Sequence, residues 1–301
     1  MWRRHHDPMP LGVVDVGANT VRLLVKAGDN VIHRRRAMLG LGQAVELFGE
    51  IPGEKVDEAA WTVAAFVIDA RAHGAERVEV LVTSPGRQAT NGDALIERLA
   101  EISGAPVRVL SSEEEGQLGF QGALNALRVP PRETLAVVDV GGGSAQIAIG
   151  TKRDGATWVR SIDLGSMRLT SRLLQGNPPG REAMEAARRE VRAALIGIEP
   201  PFAEEGLAVG GSARALRELT GPTLTAEALR RAESILTYTP HDQLVEVWNI
   251  EEDRVPTIAA GTVILSALQE IVNVPLRVRR GGLRDGALAE LEQRIRAARA
   301  A

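Results

Sequence analysis

One stretch decides the fold: Leu135-Ala-Val-Val-Asp-Val-Gly-Gly-Gly-Ser-Ala-Gln-Ile-Ala-Ile149. An apolar run that ends in an acid and a glycine turn predicts a buried strand that delivers its carboxylate to a sheet edge. The three glycines carry no Cβ, so their backbone N–H groups can approach an anion closely, and Ser144 adds a hydroxyl. Because Asp139 would repel a phosphate, the pattern makes chemical sense with a cation between them. Taken alone, the stretch also fits an ordinary hairpin turn.

A second copy of this pattern lies near the start of the chain, in Leu11-Gly-Val-Val-Asp-Val-Gly-Ala-Asn-Thr-Val-Arg-Leu-Leu-Val25. Asp15 and Asp139 occupy the same place in the two copies, 124 residues apart. Asn19 and Thr20 stand where Gly143 and Ser144 stand later. Internal repetition of this kind predicts two similar half-molecules. We expect each half to open with a strand–turn–strand hairpin and both to flank a shared cleft.

Composition bounds the possible functions. The chain has 301 residues, enough for two domains with sizeable cores, and its formal net charge of −3 does not favour nucleic acid or a membrane surface as partner. The absence of cysteine excludes disulfides, thiolate metal sites and cysteine nucleophiles. The first residues lack the apolar core of a signal peptide, and no uninterrupted apolar run is long enough to span a membrane. We therefore expect a cytoplasmic protein.

Strand and helix patterns follow the same order in the two halves, which supports duplicated α/β domains. The Pro130-Pro131 segment within Arg128–Arg132 predicts the boundary, giving domains 1–128 and 129–301. Residues 39–42 and 83–88 are expected to be loops, and 281–286 a glycine-rich turn. Predicted helices cover 54–73, 93–102, a segment opening at 111–115, 167–174, 181–196, 213–219, 225–237, 240–249, 257–272 and 287–299.

Several further blocks accompany the two hairpins. They are Thr83-Ser-Pro-Gly-Arg-Gln-Ala-Thr-Asn91, Ser112-Glu-Glu-Glu-Gly-Gln-Leu-Gly-Phe-Gln-Gly122, Leu164-Gly-Ser-Met-Arg-Leu169, Gly210-Gly-Ser-Ala-Arg-Ala-Leu216 and Gly281-Gly-Leu-Arg-Asp-Gly286. In this order, the chain resembles the short form of the exopolyphosphatase / guanosine pentaphosphate phosphohydrolase (Ppx/GppA) family, in the actin-like ATPase superfamily. The resemblance covers roughly residues 11–290. It implies two duplicated actin-like (ribonuclease H-like) α/β domains.

The resemblance also implies roles for single residues. Glu115 takes the place of the glutamate that positions or deprotonates the attacking water, although serine and acids at 111–115 are also an ordinary helix start. Asp15 and Asp139 would hold Mg²⁺ or Mn²⁺, partly through water. The expected phosphate- and substrate-binding residues are Gly17, Asn19, Thr20, Arg22, Arg87, Gly141, Gly142, Gly143, Ser144, Gly211, Ser212 and Arg254. For Gly211 and Ser212, a close-packed strand-to-helix turn is the alternative; for Arg87, a solvated loop arginine.

One position departs from the family pattern. The second phosphate loop there usually ends Gly-Gly-Gly-Ser-Thr-Glu, whereas here it ends Gly143-Ser144-Ala145-Gln146. Glutamine can coordinate through its carbonyl but carries no charge. We therefore expect weaker metal binding and weaker turnover than a carboxylate at position 146 would give.

These residues leave several functions open. The first is a metal-dependent exopolyphosphatase that releases orthophosphate from inorganic polyphosphate, and the second is hydrolysis of guanosine pentaphosphate in the same fold. A phosphate- or nucleotide-binding regulator with weak catalysis is a third, suggested by Gln146 and opposed by Glu115 and the two aspartates. A sugar or acetate kinase is disfavoured by the two phosphatase-like blocks at 83–91 and 112–122. The family resemblance also implies a homodimer.

Overall fold

The computed structural model describes residues 8–128 and 133–300. Its contacts form two compact units, each built on one mixed sheet with helices against it. The first unit comprises the described residues up to Leu110 together with those from Ala287 onward, and the second comprises the described part of 111–286. The predicted α/β fold class is confirmed.

The first unit contains a five-stranded sheet. In chain order its strands are Pro10–Val16 (β1), Thr20–Ala27 (β2), Asn30–Met38 (β3), Arg77–Val82 (β4) and Val107–Val109 (β5). They lie in the order β3-β2-β1-β4-β5. The β1–β2 and β2–β3 pairs are antiparallel, whereas β1–β4 and β4–β5 are parallel. In the register of β1 and β2, Asp15 lies opposite Arg22.

The second unit contains a six-stranded sheet. Its strands are Leu135–Val140 (β6), Ala145–Thr151 (β7), Gly155–Ile162 (β8), Glu205–Val209 (β9), Thr223–Leu224 (β10) and Leu276–Val278 (β11). They lie in the order β10-β11-β9-β6-β7-β8, with β6–β9 and β9–β11 parallel and the other pairs antiparallel. Without β10, this repeats the order and directions of the first sheet. The predicted duplication is therefore present in the backbone topology.

Twelve helices surround these strands in the described residues. In chain order they are Leu41–Phe48 (α1), Gly53–Ala72 (α2), Ser84–Gln88 (α3), Gly92–Ser103 (α4), Ser112–Asn125 (α5), Ser166–Leu173 (α6), Arg181–Ala194 (α7), Gly210–Thr220 (α8), Ala226–Tyr238 (α9), His241–Trp248 (α10), Val255–Val272 (α11) and Leu283–Ala300 (α12). In α2 the predicted apolar stripe is buried, including Val63 and Phe66.

The second sheet is covered on both faces, which explains why its strands are almost continuously apolar. On one face, Val137 packs in a cluster with Phe120 and Leu124 of α5. The alternate residues of the same strand, such as Val138, belong to the larger core formed with the helices of the other face. A strand buried on both sides is held firmly in place, so the turn at its carboxyl end has a fixed position.

The division by contacts differs from the predicted domains 1–128 and 129–301. Helix α5 belongs to the second unit because its apolar face buries against the second sheet. Helix α12 is joined to the first sheet by ion pairs, with Arg294 Nη2 2.6 Å from Glu79 Oε2 and Arg108 Nη2 3.1 Å from Glu290 Oε2. The predicted boundary at 129–132 lies outside the described residues, so that domain limit stays a prediction.

Two predicted loops are wrong. Residues 39–42 run into α1, which starts at Leu41 after Gly40 adopts a left-handed conformation with φ 62°. Residues 83–88 contain the short helix α3, with Pro85 in its first turn, where its missing N–H needs no partner. Two helices begin three or more residues earlier than predicted. Helix α8 starts at Gly210, and α12 starts at Leu283 within the expected glycine turn.

Helix α11 is the one helix in 8–128 and 133–300 that has the length and apolar character to cross a membrane. In the fold, 72% of its residues are buried, which is the environment of a core helix. Its Gly261 lies against Ser212, where a Cβ would come within 2.9 Å of the serine Cβ. The helix therefore packs against the first turn of α8.

Candidate active site

The turns of the two repeated hairpins have the same backbone geometry. The N–H of Gly17 donates to the carbonyl of Thr20 at 3.0 Å, and the N–H of Gly141 donates to the carbonyl of Ser144 at 3.0 Å. In both turns a Cβ on the glycine would lie closer to that same carbonyl than an ordinary van der Waals contact allows, at 3.3 and 3.1 Å. The predicted equivalence of the two loops thus holds at the level of single hydrogen bonds.

The carbonyl groups of the second loop are taken up by the helix that follows β8. Gly141 accepts from the N–H of Ser166 at 2.8 Å, and Gly142 accepts from the N–H of Met167 at 3.0 Å. In the described part of the chain, the N–H groups of Gly142 and Gly143 donate to no hydrogen-bond acceptor. A glycine loop whose carbonyls are engaged and whose N–H groups remain available is suited to bind phosphate oxygens.

The first loop is held in a corresponding way. The carbonyl of Asn19 accepts from Leu39 and Gly40 at 3.0 and 3.1 Å, and the carbonyl of Ala18 accepts from Gly42 at 2.7 Å. The start of α1 therefore binds the carbonyl groups of the first loop in the same way as the start of α6 binds those of the second. A Leu-Gly pair lies close after the third strand of each sheet, as Leu39-Gly40 directly after β3 and as Leu164-Gly165 one residue further on after β8.

Asp139 occupies the carboxyl end of β6 among glycines. A Cβ on Gly210 would lie 2.2 Å from Asp139 Oδ1, and one on Gly282 would lie 3.8 Å from Oδ2. Gly210 also has φ 86°, a conformation that other residues rarely adopt. Glycine at position 210 is therefore required both by the backbone and by the space that the carboxylate occupies.

A row of polar side chains crosses the second sheet at this point. Gln146 of β7 lies opposite Asp139 of β6 on one side and opposite Ser161 of β8 on the other. Its amide Nε2 is 2.9 Å from Ser144 Oγ, 3.2 Å from Ser161 Oγ and 3.3 Å from Glu115 Oε2. Gln146 thus connects the glycine loop, the sheet and the predicted catalytic carboxylate.

Glu115 is placed by the start of α5. Ser111 caps this helix through a capping box with Glu114, in which Ser111 Oγ accepts from Glu114 N at 3.1 Å and Glu114 Oε2 accepts from Ser111 N at 2.7 Å. Glu115, one residue further on, points inward and is only 7% exposed, whereas Glu113 is exposed. The capping acids of the sequence pattern and the buried acid are therefore different residues.

Glycines let α5 approach the sheet and the turn before α12 closely. A Cβ on Gly116 would come within 2.3 Å of Val159 Cγ1, and one on Gly122 within 2.0 Å of the carbonyl of Gly282. On the opposing side, a Cβ on Gly286 would lie 2.0 Å from the carbonyl of Leu118. These contacts fix the distance between α5 and the sheet, and with it the position of the Glu115 carboxylate.

Gly211, Ser212 and Arg254 form a second contact group in the same unit. A Cβ on Gly211 would lie 2.6 Å from Arg254 Nη1, so the guanidinium rests against the glycine backbone. The Arg254 side chain is 12% exposed, with Nε 3.9 Å from Asp253 Oδ1. Ser212 Oγ donates to the carbonyl of Val140 at 3.2 Å. The serine hydroxyl therefore has a structural hydrogen bond at the first turn of α8, whatever else it binds.

In the first unit, the corresponding row carries arginine. Arg22 of β2 lies opposite Asp15 of β1 and opposite Arg36 of β3. Arg22 Nε is a buried donor without a hydrogen-bond partner among the described residues. Arg87 lies on α3, and its Nη1 donates to the carbonyl of Leu110 at 2.5 Å. This row therefore offers positive charge where the second offers the neutral Gln146.

Two features of this site are not predicted from the sequence: the side chain of Ser161 and the hydrogen bond between Gln146 and Glu115. Ser161 was not singled out, although it stands opposite Gln146 in the sheet. The hydrogen bond between Gln146 and Glu115 joins residues 31 positions apart on different elements. Strand alternation on β8 could have indicated that Ser161 faces the same side as Gln146. No pattern in the sequence indicates the hydrogen bond between Gln146 and Glu115.

The donor set of the second unit fits a hard divalent cation. Asp139, Ser144 and Glu115 all offer oxygen atoms, which Mg²⁺ and Mn²⁺ prefer. Gln146 turns its N–H₂ toward Glu115, so these two side chains are compatible at 3.3 Å without a cation between them. The metal site of this unit would therefore be centred on Asp139 and would carry less negative charge than one with a glutamate at position 146.

A duplicated α/β fold with an aspartate at the end of the first strand of each sheet and a glycine turn after it is typical of actin-like two-domain proteins. The chain belongs to the Ppx/GppA phosphatase family, whose model matches residues 24–295. A divalent-metal requirement is general among the exopolyphosphatases of this family.

Similarity to individual proteins agrees with this assignment. Exopolyphosphatase 2 of Mycobacterium tuberculosis is 31% identical over 241 residues, which cover 76% of this chain and 72% of the relative. Exopolyphosphatase 1 of the same organism is 29% identical over 287 residues, covering 88% and 83%. The crystal structure of the Aquifex aeolicus member of the family superposes with a TM-score of 0.79 at 24% identity, covering 95% of this chain and 98% of that one. This last likeness supports the fold.

Proposed function

We propose that this protein is a metal-dependent exopolyphosphatase that removes terminal phosphates from inorganic polyphosphate as orthophosphate. The observation that carries the proposal is the buried Glu115, held beside a glycine loop with available N–H groups. Two relatives that cover most of this chain are named exopolyphosphatases. Phosphoryl transfer needs oriented groups and neutralised charge more than covalent participation of the protein, and this site offers both.

In the proposed reaction, the N–H groups of Gly142 and Gly143 and the hydroxyl of Ser144 bind oxygens of the terminal phosphate. Glu115 orients a water molecule and accepts its proton as the water oxygen attacks phosphorus. The bond between phosphorus and the bridging oxygen breaks, and the shortened polyphosphate leaves with the electron pair. Gln146 holds one carboxylate oxygen of Glu115 in place. Divalent metal ions, one held by Asp139 in the second unit and one by Asp15 in the first, would supply charge neutralisation for the phosphates.

The remaining predicted residues take supporting roles in this proposal. Gly17, Asn19 and Thr20 would bind phosphate in the first unit, with Arg22 and Arg87 supplying positive charge. Gly141 shapes the second loop. Gly211, Ser212 and Arg254 would serve phosphates of the second unit, and the contact of the Arg254 guanidinium with Gly211 supports a joint role. Arginine suits phosphate because its planar fork donates two hydrogen bonds at once.

We also propose, from the family resemblance, that the metal is Mg²⁺ or Mn²⁺, that the protein acts in the cytoplasm and that it forms a homodimer. The oxygen-only donor set supports the metal assignment. Light scattering of the purified chain measures the oligomeric state directly. A molar mass near that of one chain, 32.2 kDa, would contradict the dimer.

The test of the function is release of orthophosphate with Mg²⁺ or Mn²⁺ from short polyphosphate, long polyphosphate and guanosine pentaphosphate. The proposal expects the highest kcat/KM with a polyphosphate. A higher value with guanosine pentaphosphate would replace it with the nucleotide reaction. Binding of these substrates with no release from any of them would identify a binding protein instead.

A further inference from the structure

We propose that His33, Asp69 and His73 form a binding site for a borderline transition-metal ion such as Zn²⁺, separate from the phosphate loops. His33 lies on β3, Asp69 lies near the end of α2, and His73 is the residue at which α2 ends. One ligand atom from each lies within 4.8 Å of the others. The site lies entirely in the first unit, and it does not depend on the proposed function.

The three side chains already converge. His33 Nε2 is 2.7 Å from Asp69 Oδ2, and His73 Nδ1 is 3.3 Å from Asp69 Oδ1. The two imidazole rings stack with centroids 3.8 Å apart and planes 6° apart. The imidazole nitrogens of histidine are the commonest protein ligands of such metals. His73 Nδ1 also lies 2.8 Å from the backbone carbonyl of Asp69, so an ion bound through this nitrogen would replace that hydrogen bond, and the two rings would turn out of their parallel stacking.

The donor set selects the kind of metal. Two imidazole nitrogens and one carboxylate oxygen are typical ligands of Zn²⁺ and Co²⁺, and they leave a fourth position for water. Mg²⁺ prefers oxygen ligands and keeps its own waters, so it is a poor occupant. The metal of the phosphate site and the metal of this cluster should therefore not compete.

The position of the cluster indicates what an ion there would do. Strand β3 is at the edge of its sheet, and most of its residues are exposed. The side chains of His33, Asp69 and His73 are 25%, 20% and 39% exposed, so an ion has access from solvent. Because the ligands come from β3 and α2, a bound metal would fasten the edge strand to the helix.

Arg35 opposes this site in a way that provides a test. Its Nη1 is 3.4 Å from Asp69 Oδ2, and its Cζ lies 4.9 Å from the centroid of the Phe66 ring. An incoming dication has to compete with this guanidinium for Asp69. Removing the Arg35 charge should therefore tighten metal binding, on the order of tenfold at low salt. A cluster with only a structural role would not acquire metal affinity in this way.

The experiment is a titration of the full chain with Zn²⁺ and Co²⁺, read by calorimetry and by the visible absorption of bound Co²⁺. His5 and His6 are a second pair of imidazoles in the sequence, so all variants carry His5→Ala and His6→Ala. We expect one ion per chain in this background, and about tenfold or greater weakening by His33→Ala or Asp69→Asn. His241→Ala is the matched control and should leave the affinity unchanged.

The variants distinguish the outcomes. Equal affinity in the background protein and in folded His33→Ala would overturn the site, and so would displacement of Zn²⁺ by equimolar Mg²⁺. Should His33→Ala fail to fold, Arg35→Gln decides, because it retains all three ligands. Tighter Zn²⁺ binding by Arg35→Gln supports the site, whereas unchanged or weaker binding refutes it.

Discussion

Replacing Gln146 with glutamate inverts the electrostatics of the proposed active site. Gln146 and Glu115 are 6% and 7% exposed, and the amide Nε2 lies 3.3 Å from Glu115 Oε2. In Gln146→Glu, a carboxylate oxygen takes the place of this nitrogen. The hydroxyls of Ser144 and Ser161 can rotate to donate to it, since hydroxyls both donate and accept. The ionised Glu115 carboxylate has no hydrogen to donate, so the two carboxylates repel each other.

The size of the conflict follows from the distance. Two unit charges 3.3 Å apart repel by about 5 kcal/mol at an effective dielectric constant near 20. Taking up one proton relieves the repulsion and costs about 4 kcal/mol at pH 7, because an ordinary glutamate titrates roughly 3 pH units lower. Side-chain movement reduces this further. We expect metal-free Gln146→Glu to be less stable than the wild type by about 2–4 kcal/mol.

A divalent cation reverses this penalty, because it binds where two carboxylates meet. Mg²⁺ should therefore raise the melting temperature of Gln146→Glu strongly and that of the wild type little. The half-saturating Mg²⁺ concentration for phosphate release should fall at least about tenfold in the variant, which corresponds to about 1.4 kcal/mol. Thermal unfolding in chelator and in increasing Mg²⁺ measures the first effect, and phosphate release measures the second.

The chain contains a matched control for this experiment. Gln117 Nε2 is also 3.3 Å from a glutamate, Glu113 Oε1, but this pair is on the exposed side of α5. Gln117→Glu creates the same pair of carboxylates in water and should cost less than about 0.5 kcal/mol with no Mg²⁺ dependence. Equal metal-free stability of Gln146→Glu and wild type, or equal stabilisation of both by Mg²⁺, would contradict this prediction.

Three further predictions concern other parts of the chain. Gly210→Ala should lower stability by about 1–3 kcal/mol and reduce phosphate release. Alanine disfavours the positive φ at this position, and its Cβ would displace the Asp139 carboxylate. Unfolding and turnover equal to those of the wild type would contradict this. Arg294→Gln should lower stability by about 1–2 kcal/mol in urea unfolding, since it removes a charged hydrogen bond to the buried Glu79, and an unchanged midpoint would contradict it. Burial raises the pKa of Asp69, but its hydrogen bond to His33 and the charges of His33, Arg35 and His73 outweigh this and lower the pKa below 3.8. The stability lost in Asp69→Asn should therefore be full above that pH and shrink as the pH falls below it. A loss of stability that persists unchanged in acid would contradict the lowered pKa.

The sequence predicted the hairpins because their signals are local. The repeat around Asp15 and Asp139 carries strand, turn and glycine signals within single segments, and both turns have the predicted form. Helix α1 was missed because two glycines at positions 40 and 42 lower the helical preference, while hydrogen bonds from these residues to the carbonyls of the first loop stabilise it. Contacts of this kind are tertiary and leave no local pattern.

In the candidate sites, too, local sequence patterns identify single residues, whereas the contacts between distant residues could not be predicted. The glycine loops and the acid at position 115 can be read from their blocks, but the burial of Glu115 beside Gln146 depends on how closely α5 approaches the sheet. The separation of Asp69 and His73 by four residues on a helix is visible in the sequence. Its partner His33 is 36 residues away from Asp69 and reaches it only because β3 and α2 pack together.

The most direct test of the proposed chemistry compares Glu115→Gln with Glu113→Gln in phosphate release from polyphosphate. Both changes remove one negative charge from the first turn of α5, but only Glu115 is buried beside the phosphate loop. We expect Glu115→Gln to lower kcat by about 10²–10⁴-fold while polyphosphate still binds, and Glu113→Gln to stay within about twofold of wild type. Equal turnover in the two variants would contradict the assignment of Glu115 as the general base.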